Sequence, residues 1–433
     1  MRFKAHKMTT KKIVFFLLLV GFQLSAQSKK WTLEECVDYA IKNNISIKQS
    51  ELDLKTTDID KLEAIGGFLP TLNGNANYSM NTGASINPVT NQFQNETFKS
   101  MSASANSGIM LFNGLANWKT LQRAKLSKIA NSYRLDKMKD DIALSIANSY
   151  LQILFNKEQL KVQKNQNLIT KENIKRTQEL IQAGSLPAGD IYELQATDAS
   201  QEQQIVNTEN ALLIAKIGLC QTLLLEDYAN FDISDEVMDL PMTDMTNETQ
   251  ESILEKAKES VKDVKIAMAN VDVAKKDVAL SRSSYLPTLT GFLGYNTRWA
   301  ESIPFNFIDQ LTLFDGTAVG LQLNVPILNG FATRGRVQRA KINQERSEFQ
   351  LKQAELDLER NVYQAYNDVI NAKKSFEAAQ KTLEARKQSF NFSKERYEVG
   401  LMNSFDFSQS TIAFENAQSE VLRTKYDYLF RTK

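Results

Sequence analysis

Apolar residues recur every three to four positions from Trp31 to Ala64, the period of a helix with one buried face. Thr32 opens it as N-cap with Glu35 three residues later, a capping-box pattern. Gly66-Gly67 stops the run, Leu69-Pro70-Thr71-Leu72 follows, and the period falls to two. Asn73, Asn75, Asn77 and Ser79 then share one face, while Leu72, Gly74, Ala76, Tyr78 and Met80 share the other. A polar stretch, Gly83–Lys99, reads as a loop leading to a second alternating run with Ala103, Ala105, Ile109 and Leu111 on one side. The chain then does all of this again. Glu251–Ser281 is helical, and Tyr285–Leu289 echoes Phe68–Leu72. Leu289, Gly291, Leu293 and Tyr295 then oppose Thr288, Thr290 and Asn296. After the loop Ala300–Asp315, Val319, Leu321, Leu323, Val325 and Ile327 oppose Gly320, Gln322 and Asn324. The pattern predicts two hairpins, each of two strands about ten residues long.

The repetition is literal at one place. Leu111–Lys125 reads LFNGLANWKTLQRAK, and Ile327–Lys341, a constant 216 positions on, reads ILNGFATRGRVQRAK. Asn113-Gly114 and Asn329-Gly330 each end a strand run and begin a stretch free of Pro, Asn117–Ala183 and Thr333–Val399. Each stretch is 67 residues, about 100 Å as straight helix. A narrow apolar stripe runs through the first (Leu135, Met138, Ile142, Ile146, Tyr150, Ile153) and, in register, through the second (Leu351, Ala354, Leu358, Val362, Tyr366, Val369). Helices with so narrow a stripe pack side by side as coiled coils. Both end in matched turns, 183–190 and 399–406, where Gly184 and Gly400 suit left-handed C-caps. Asp190 and Asp406 sit where an N-cap or first-turn acid would, and returning helices follow. The chain therefore divides into a first repeat, 27–225, with hairpin 69–112 and tip 183–190. An acidic connector without Lys or Arg, 226–250, leads to a second repeat, 251–433, with hairpin 286–328 and tip 399–406.

Composition adds the compartment. Ile13–Val20 is strongly apolar but too short to span a bilayer as a helix, with five Lys and Arg before it and Leu24-Ser25-Ala26 after it. Residues 1–26 read as a secretory signal peptide. Without their five basic residues the 52 basic and 51 acidic residues become 47 and 51, a slightly acidic chain with nothing to recommend a nucleic-acid partner. The single His, His6, leaves with the signal, which removes Ser-His and Cys-His chemistry and imidazole metal ligation. No phosphate-binding loop or nucleophile elbow is present, so neither an enzyme nor a cofactor is expected. Cys36 and Cys220 remain; export permits a disulfide, and two separate buried thiols are the plainer reading.

The strand faces decide between a soluble sheet and a membrane one. Their polar sides are Asn, Gln, Ser and Thr with almost no charge, and Tyr78, Phe112, Tyr295 and Trp299 stand towards strand ends like interfacial girdles. Four such strands cannot stand alone in lipid, where each unpaired backbone group costs several kcal/mol. A barrel shared between copies follows: two copies give eight strands filled by side chains, three give twelve with room for an aqueous lumen. Helices longer than the strands must project from one end. A periplasmic coiled-coil protein without a pore would explain the helices but leave both hairpins unexplained.

These features together resemble the TolC family of outer-membrane efflux proteins over essentially the whole mature length. The likeness rests on the duplicated helix–hairpin–helix plan, the paired Leu-Pro-Thr-Leu strand starts, the Asn-Gly junctions, and the turns Tyr397-Glu-Val-Gly400-Leu and Ala183-Gly184-Ser. The resemblance implies a mainly α fold with a membrane β-barrel. Three chains would share a twelve-stranded barrel above a long periplasmic α-helical barrel, in the outer membrane of a Gram-negative bacterium. The function implied is the exit duct of a tripartite efflux or type I secretion system, with a periplasmic adaptor and an RND, ABC or MFS pump as partners. It assigns adaptor docking to Val399, Gly400, Leu401, Ala183, Gly184 and Ser185. It assigns the periplasmic aperture to Asp406, Gln409, Tyr397 and Asp190, with Met402 where a well-known member carries Arg. Pro70, Asn113, Gly114, Pro287, Asn329 and Gly330 become the joints between membrane barrel and helices.

Overall fold

The computed structural model describes residues 30–86, 90–235 and 248–432. The signal-peptide reading and much of the acidic connector lie outside them. Elements run β1 (Lys30–Trp31), α1 (Leu33–Asn43), α2 (Ile45–Gly66), β2 (Thr71–Ile86), β3 (Phe93–Asn113), α3 (Ala116–Gln182), α4 (Asp190–Leu223) and β4 (Asp232–Ile233). The second half continues with α5 (Gln250–Ser260), α6 (Lys262–Ser283), β5 (Thr288–Ala300), α7 (Phe307–Leu313), β6 (Gly316–Asn324), α8 (Ala332–Glu398) and α9 (Ser404–Arg431). Both long helices are 67 residues, one position earlier than the sequence reading placed them. Two compact units form, with the chain passing between them after Lys48, Lys137, Ile253 and Arg360. Each unit contains parts of both repeats.

One unit carries the sheet, in order β2-β3-β5-β6 and antiparallel throughout. The two hairpins share one register: Thr71 faces Gly108 as Thr288 faces Asn324, positions offset by the repeat. β3 pairs with β5, so the hairpins form one sheet, with a bulge between Met110 and Phe112. Cross-strand rows keep the two faces distinct. Leu72, Ser107, Leu293 and Val319 form one row, and Tyr78, Met101 and Trp299 another; Asn75, Ser104, Asn296 and Gly316 line the opposite face. The apolar face is open to the outside of the chain, with Leu321 69 % exposed. Among the described residues β2 and β6 have no neighbour on their outer edges.

Several expectations change. Val325 and Ile327 fall beyond β6, which ends at Asn324 just before Pro326, a residue with no N–H to give a ladder. The helix expected over Glu251–Ser281 is interrupted at Val261, between α5 and α6. The first hairpin is longer than ten residues per strand, at 16 and 21, because pairing continues through Thr82–Thr97 to Ile86–Phe93 inside the expected loop. The loop Ala300–Asp315 contains the short helix α7. The first helix breaks at Asn44, whose side chain accepts from Ser46 N at 2.9 Å and donates to Thr222 O at 3.1 Å. Asn44 thus ends α1 and caps α2 while held by α4. The capping box at Thr32 and Glu35 forms at the start of α1.

The other unit is helical, with its core where α1, α3, α4 and α9 meet around Cys36, Ile146, Ile153, Leu219, Cys220 and Tyr426. β1 and β4 pair in parallel beside it. The Tyr150 hydroxyl lies 3.2 Å from Trp31 O and 3.1 Å from Ser234 O, holding both strands. Lys157 donates to Ile233 O at 3.0 Å and to Asp235 at 2.7 Å, and Lys157 and Lys216 flank Asp232 at 2.7 and 2.9 Å. Burial works against the Asp232 carboxylate, but the two lysines outweigh it and hold the group below the usual range. Hydrogen bonds from Lys157 and Lys30 do the same for Asp235. Cys36 and Cys220 are separate buried thiols, and burial pushes Cys220 up to about 11. Among the described residues no helix is long and apolar enough to cross a membrane.

Candidate functional site

Three kinds of place were singled out by sequence: two strand-to-helix junctions, two helix tips, and the acids beside them. At the first junction Gly114 and Leu115 both adopt left-handed backbone, φ 65° and 64°. The Asn113 side chain donates to Asn117 at 2.7 Å and accepts from Asn117 N, starting α3, while Asn117 donates to Gly67 O. Gly114 is obligatory here: a Cβ would lie 2.6 Å from Ser283 O and 2.8 Å from Leu286 Cβ. The second junction repeats the backbone, Gly330 at φ 57° and Phe331 at 63°, with Asn329 donating to buried Thr333 at 2.5 Å. Nothing lies within 4 Å of a Cβ on Gly330, and Ile327 and Leu328 are each 92 % exposed. Pro70 and Pro287 stand directly before β2 and β5, where a missing N–H costs no ladder bond.

The tips are paired C-caps. At the first, Gly184 (φ 72°) donates to Ile181 O at 3.0 Å and Ser185 to Leu180 O at 2.9 Å. At the second, Gly400 (φ 76°) donates to Tyr397 O at 3.1 Å and Leu401 to Arg396 O at 2.8 Å. Both are Schellman motifs. They differ in what they present. Ala183, Gly184 and Ser185 offer a small, exposed surface, whereas Val399, Leu401 and Phe405 leave three large apolar side chains in the open. Asn403 is the N-cap of α9, accepting from Asp406 N at 2.8 Å and donating to the Asp406 carboxylate at 3.0 Å. Asp406 and Gln409 are exposed on that helix, one turn apart. Asp190 begins α4 behind Gly189, which has no side chain to cap with.

Tyr397 is not at the surface. It is buried, its hydroxyl 2.9 Å from the Thr177 hydroxyl, and its ring stacks on Phe407 with centroids 4.5 Å apart. Phe390 continues the stack to Phe414. One residue along each helix, Arg176 pairs with Glu398 at 3.0 Å. Thr177 and Arg176 went unseen in the sequence, since a Thr and an Arg inside a polar helix carry no local signal. Above this tip a polar cavity of about 290 Å³ opens between α4 and α9, lined in part by Glu193, Gln201, Glu415 and Asn416. Burial raises the Glu415 carboxyl despite two 3.0 Å contacts from Gln201.

Against known families, residues 36–223 and 253–431 both match the model described as outer membrane efflux protein. The chain belongs to this family. Outer membrane protein TolC of Vibrio cholerae is 22 % identical over 316 residues, 72 % of this chain and 71 % of its own length. Protease secretion protein PrtF of Dickeya chrysanthemi is 22 % identical over 72 % of this chain and 67 % of its own. Among solved structures, a membrane protein from Pseudomonas aeruginosa superposes with a TM-score of 0.79 at 15 % identity, covering 92 % of this chain and 88 % of that one. The VceC outer membrane protein of Vibrio cholerae gives 0.74 at 13 % identity, covering 92 % and 93 %. Membership makes this a TolC-family channel of the outer membrane with a periplasmic extension, and a duct rather than an enzyme.

Proposed function

We propose that three copies of this chain form one duct that carries cargo from a pump in the inner membrane to the exterior. The observation that carries the reading is the unequal environment of two equal halves. Within the chain, junction one packs on the turn Ser283–Leu286 and β3 pairs with β5. Their counterparts, junction two and β6, lack a partner of this kind among the described residues. Shifting the β3–β5 register by the repeat places Leu321 opposite Tyr78 and Leu323 opposite Ala76 of a second copy, apolar face to apolar face. A one-residue slip would turn one face over, so the register is strongly specified.

The helices support the same shift. α3 packs antiparallel on α6, through Arg123–Asp277 at 2.5 Å and Lys137–Asp263 at 3.0 Å. Their counterparts α8 and α2 carry exposed apolar residues at strict seven-residue spacing: Ile342, Phe349 and Leu356 on one, Ile45, Leu52 and Ile59 on the other. Applying the repeat sets Ile342 beside Ile59 and Phe349 beside Leu52 of the next copy. Such seams are what coiled-coil packing covers.

At the tips, Val399, Gly400 and Leu401, with Ala183, Gly184 and Ser185, would receive a periplasmic adaptor, and an inner-membrane pump of RND, ABC or MFS type would act through it. Asp406, repeated three times about an axis, would make a negative constriction with Gln409 beside it, favouring cations. Tyr397 and Asp190 would act on opening. For Tyr397 the partner to release is Thr177. Asp406→Asn in purified trimers should reduce cation selectivity in planar bilayers with barrel conductance retained; unchanged selectivity would remove Asp406 from the constriction.

A further inference from the structure

β5 outruns β6. The last pair between them is Asn296 with Gly316, while β5 continues to Ala300 with β3 on its other side. The β6 side of these last residues would be an open edge, and α7 fills it. Gln310, with no exposure at all, accepts from Ala300 N at 2.9 Å and donates to Ala300 O at 3.1 Å, as an adjacent strand would. The same nitrogen lies 3.1 and 2.8 Å from Ile303 O and Phe305 O, so its two hydrogens are shared among three carbonyls and the loop folds around it. A buried amide with all these bonds made fixes α7 as a defined element of the sheet rather than a loose tip.

The side on which α7 rests follows from the strand alternation. Thr297 and Trp299 belong to the apolar face of the sheet, since they share rows with Ala103 and with Met101 and Tyr78. The Thr297 hydroxyl donates to Leu311 O at 2.7 Å, and Trp299 meets Phe307 edge-on with centroids 5.7 Å apart. Both contacts come from that face. All four strand ends joined to the long connections lie at the opposite end of the sheet, so α7 is at the outer end. The row Tyr78, Met101, Trp299 is the aromatic level expected at a bilayer boundary, and one row further out stands the exposed pair Lys99–Glu301 at 3.0 Å. At this level α7 and the residue pair leading into it leave Phe305, Phe307, Ile308 and Leu313 exposed, Ile308 by 70 %.

We propose that α7 is an interfacial lipid anchor: it lies against the outward face of β5 at the outer-leaflet boundary, with Ile308 and its apolar neighbours among acyl chains. The patch is continuous with the lipid-facing band through Trp299 and Phe307. The inference rests on the apolar face being the lipid face, so its test carries a control for that reading.

The test uses the full chain with Cys36 and Cys220 replaced by Ala. Single Ile308→Cys and Leu321→Cys variants are labelled with a small fluorophore. They are then reconstituted in phosphatidylcholine vesicles with plain or dibrominated acyl chains. The Leu321 label reports the lipid-facing band. The expected result is that brominated lipid dims the Ile308 label roughly threefold or more, as it does the Leu321 label, while aqueous iodide quenches it far less than free dye. Quenching of Ile308 by iodide and not by bromolipid would overturn the anchor. Insensitivity to both would overturn it too, placing α7 against a neighbouring copy. Loss of bromolipid quenching at Leu321 as well would sink the reading of the apolar face itself.

Discussion

The two junctions have the same backbone and almost the same sequence, yet one is packed and the other bare. Gly114 is pressed against Ser283 and Leu286 of its own chain, whereas Gly330 faces open space. Left-handed backbone at two consecutive residues, Gly114-Leu115 and Gly330-Phe331, costs of order 1–3 kcal/mol at the non-glycine position and persists only where surroundings enforce it. Ser283 and Leu286 enforce the first. For the second, the proposed assembly would supply such surroundings from another copy as the turn Gly66–Pro70, the counterpart of Ser283–Pro287.

The comparison is most vulnerable at the helical seam. Phe349→Glu would place a charge where a second copy is expected to bury an apolar side chain, a penalty of several kcal/mol per interface, met three times in a trimer. A shift from trimer to monomer in light scattering of the purified protein, with helical content retained, is the expected outcome. An oligomer of unchanged stability would mean that the α8 stripe faces solvent.

The junctions themselves give a smaller and more discriminating effect. Gly114→Ala forces a Cβ onto a carbonyl and a side chain at positive φ, on the order of 2–4 kcal/mol of the chain's own stability. Gly330→Ala carries the backbone strain alone in a single chain. In a trimer it meets the same obstruction, so its cost should appear in assembly. Equal destabilisation of folding by both, or a neutral Gly330→Ala oligomer, would break the equivalence of the halves.

The smallest effect concerns pH and the helical unit. Asp232 and Asp235 have carboxyls held below their unfolded range, so their contribution is present above that range and is lost as pH falls through the folded values. Unfolding followed by circular dichroism should show this loss below about pH 4, and Asp232→Asn should flatten the slope. A stability that rises on acidification would contradict the clasp formed by Lys157, Lys216 and the two aspartates.

What was legible in the sequence was whatever local rules or repetition encode. The two 67-residue helices, the capping box at Thr32, the glycine C-caps and the two faces of each strand all follow from period and spacing. The break at Asn44 did not, because it depends on Thr222 O, which is 178 positions away. α7 was hidden for the same reason: Gln310 has no helix signal of its own and is fixed by carbonyls that converge only after β5 is laid down. Tyr397 was singled out, but not its partner, since Thr177 is 220 positions distant and looks like any other polar helix residue. The extra length of the first hairpin was masked by polar composition, which suits strands beyond the lipid as well as loops.

The central claim is that the chain's open edges are completed by copies of itself in the register its own halves display. Oxidation of a Leu321→Cys/Tyr78→Cys chain, with Cys36 and Cys220 replaced by Ala, tests it directly. A covalent trimer on denaturing gels is expected, with neither single variant cross-linking and with Leu321→Cys/Asn77→Cys failing because its thiols point to opposite faces. No cross-link for the first pair, or equal cross-linking by the slipped pair, would contradict it.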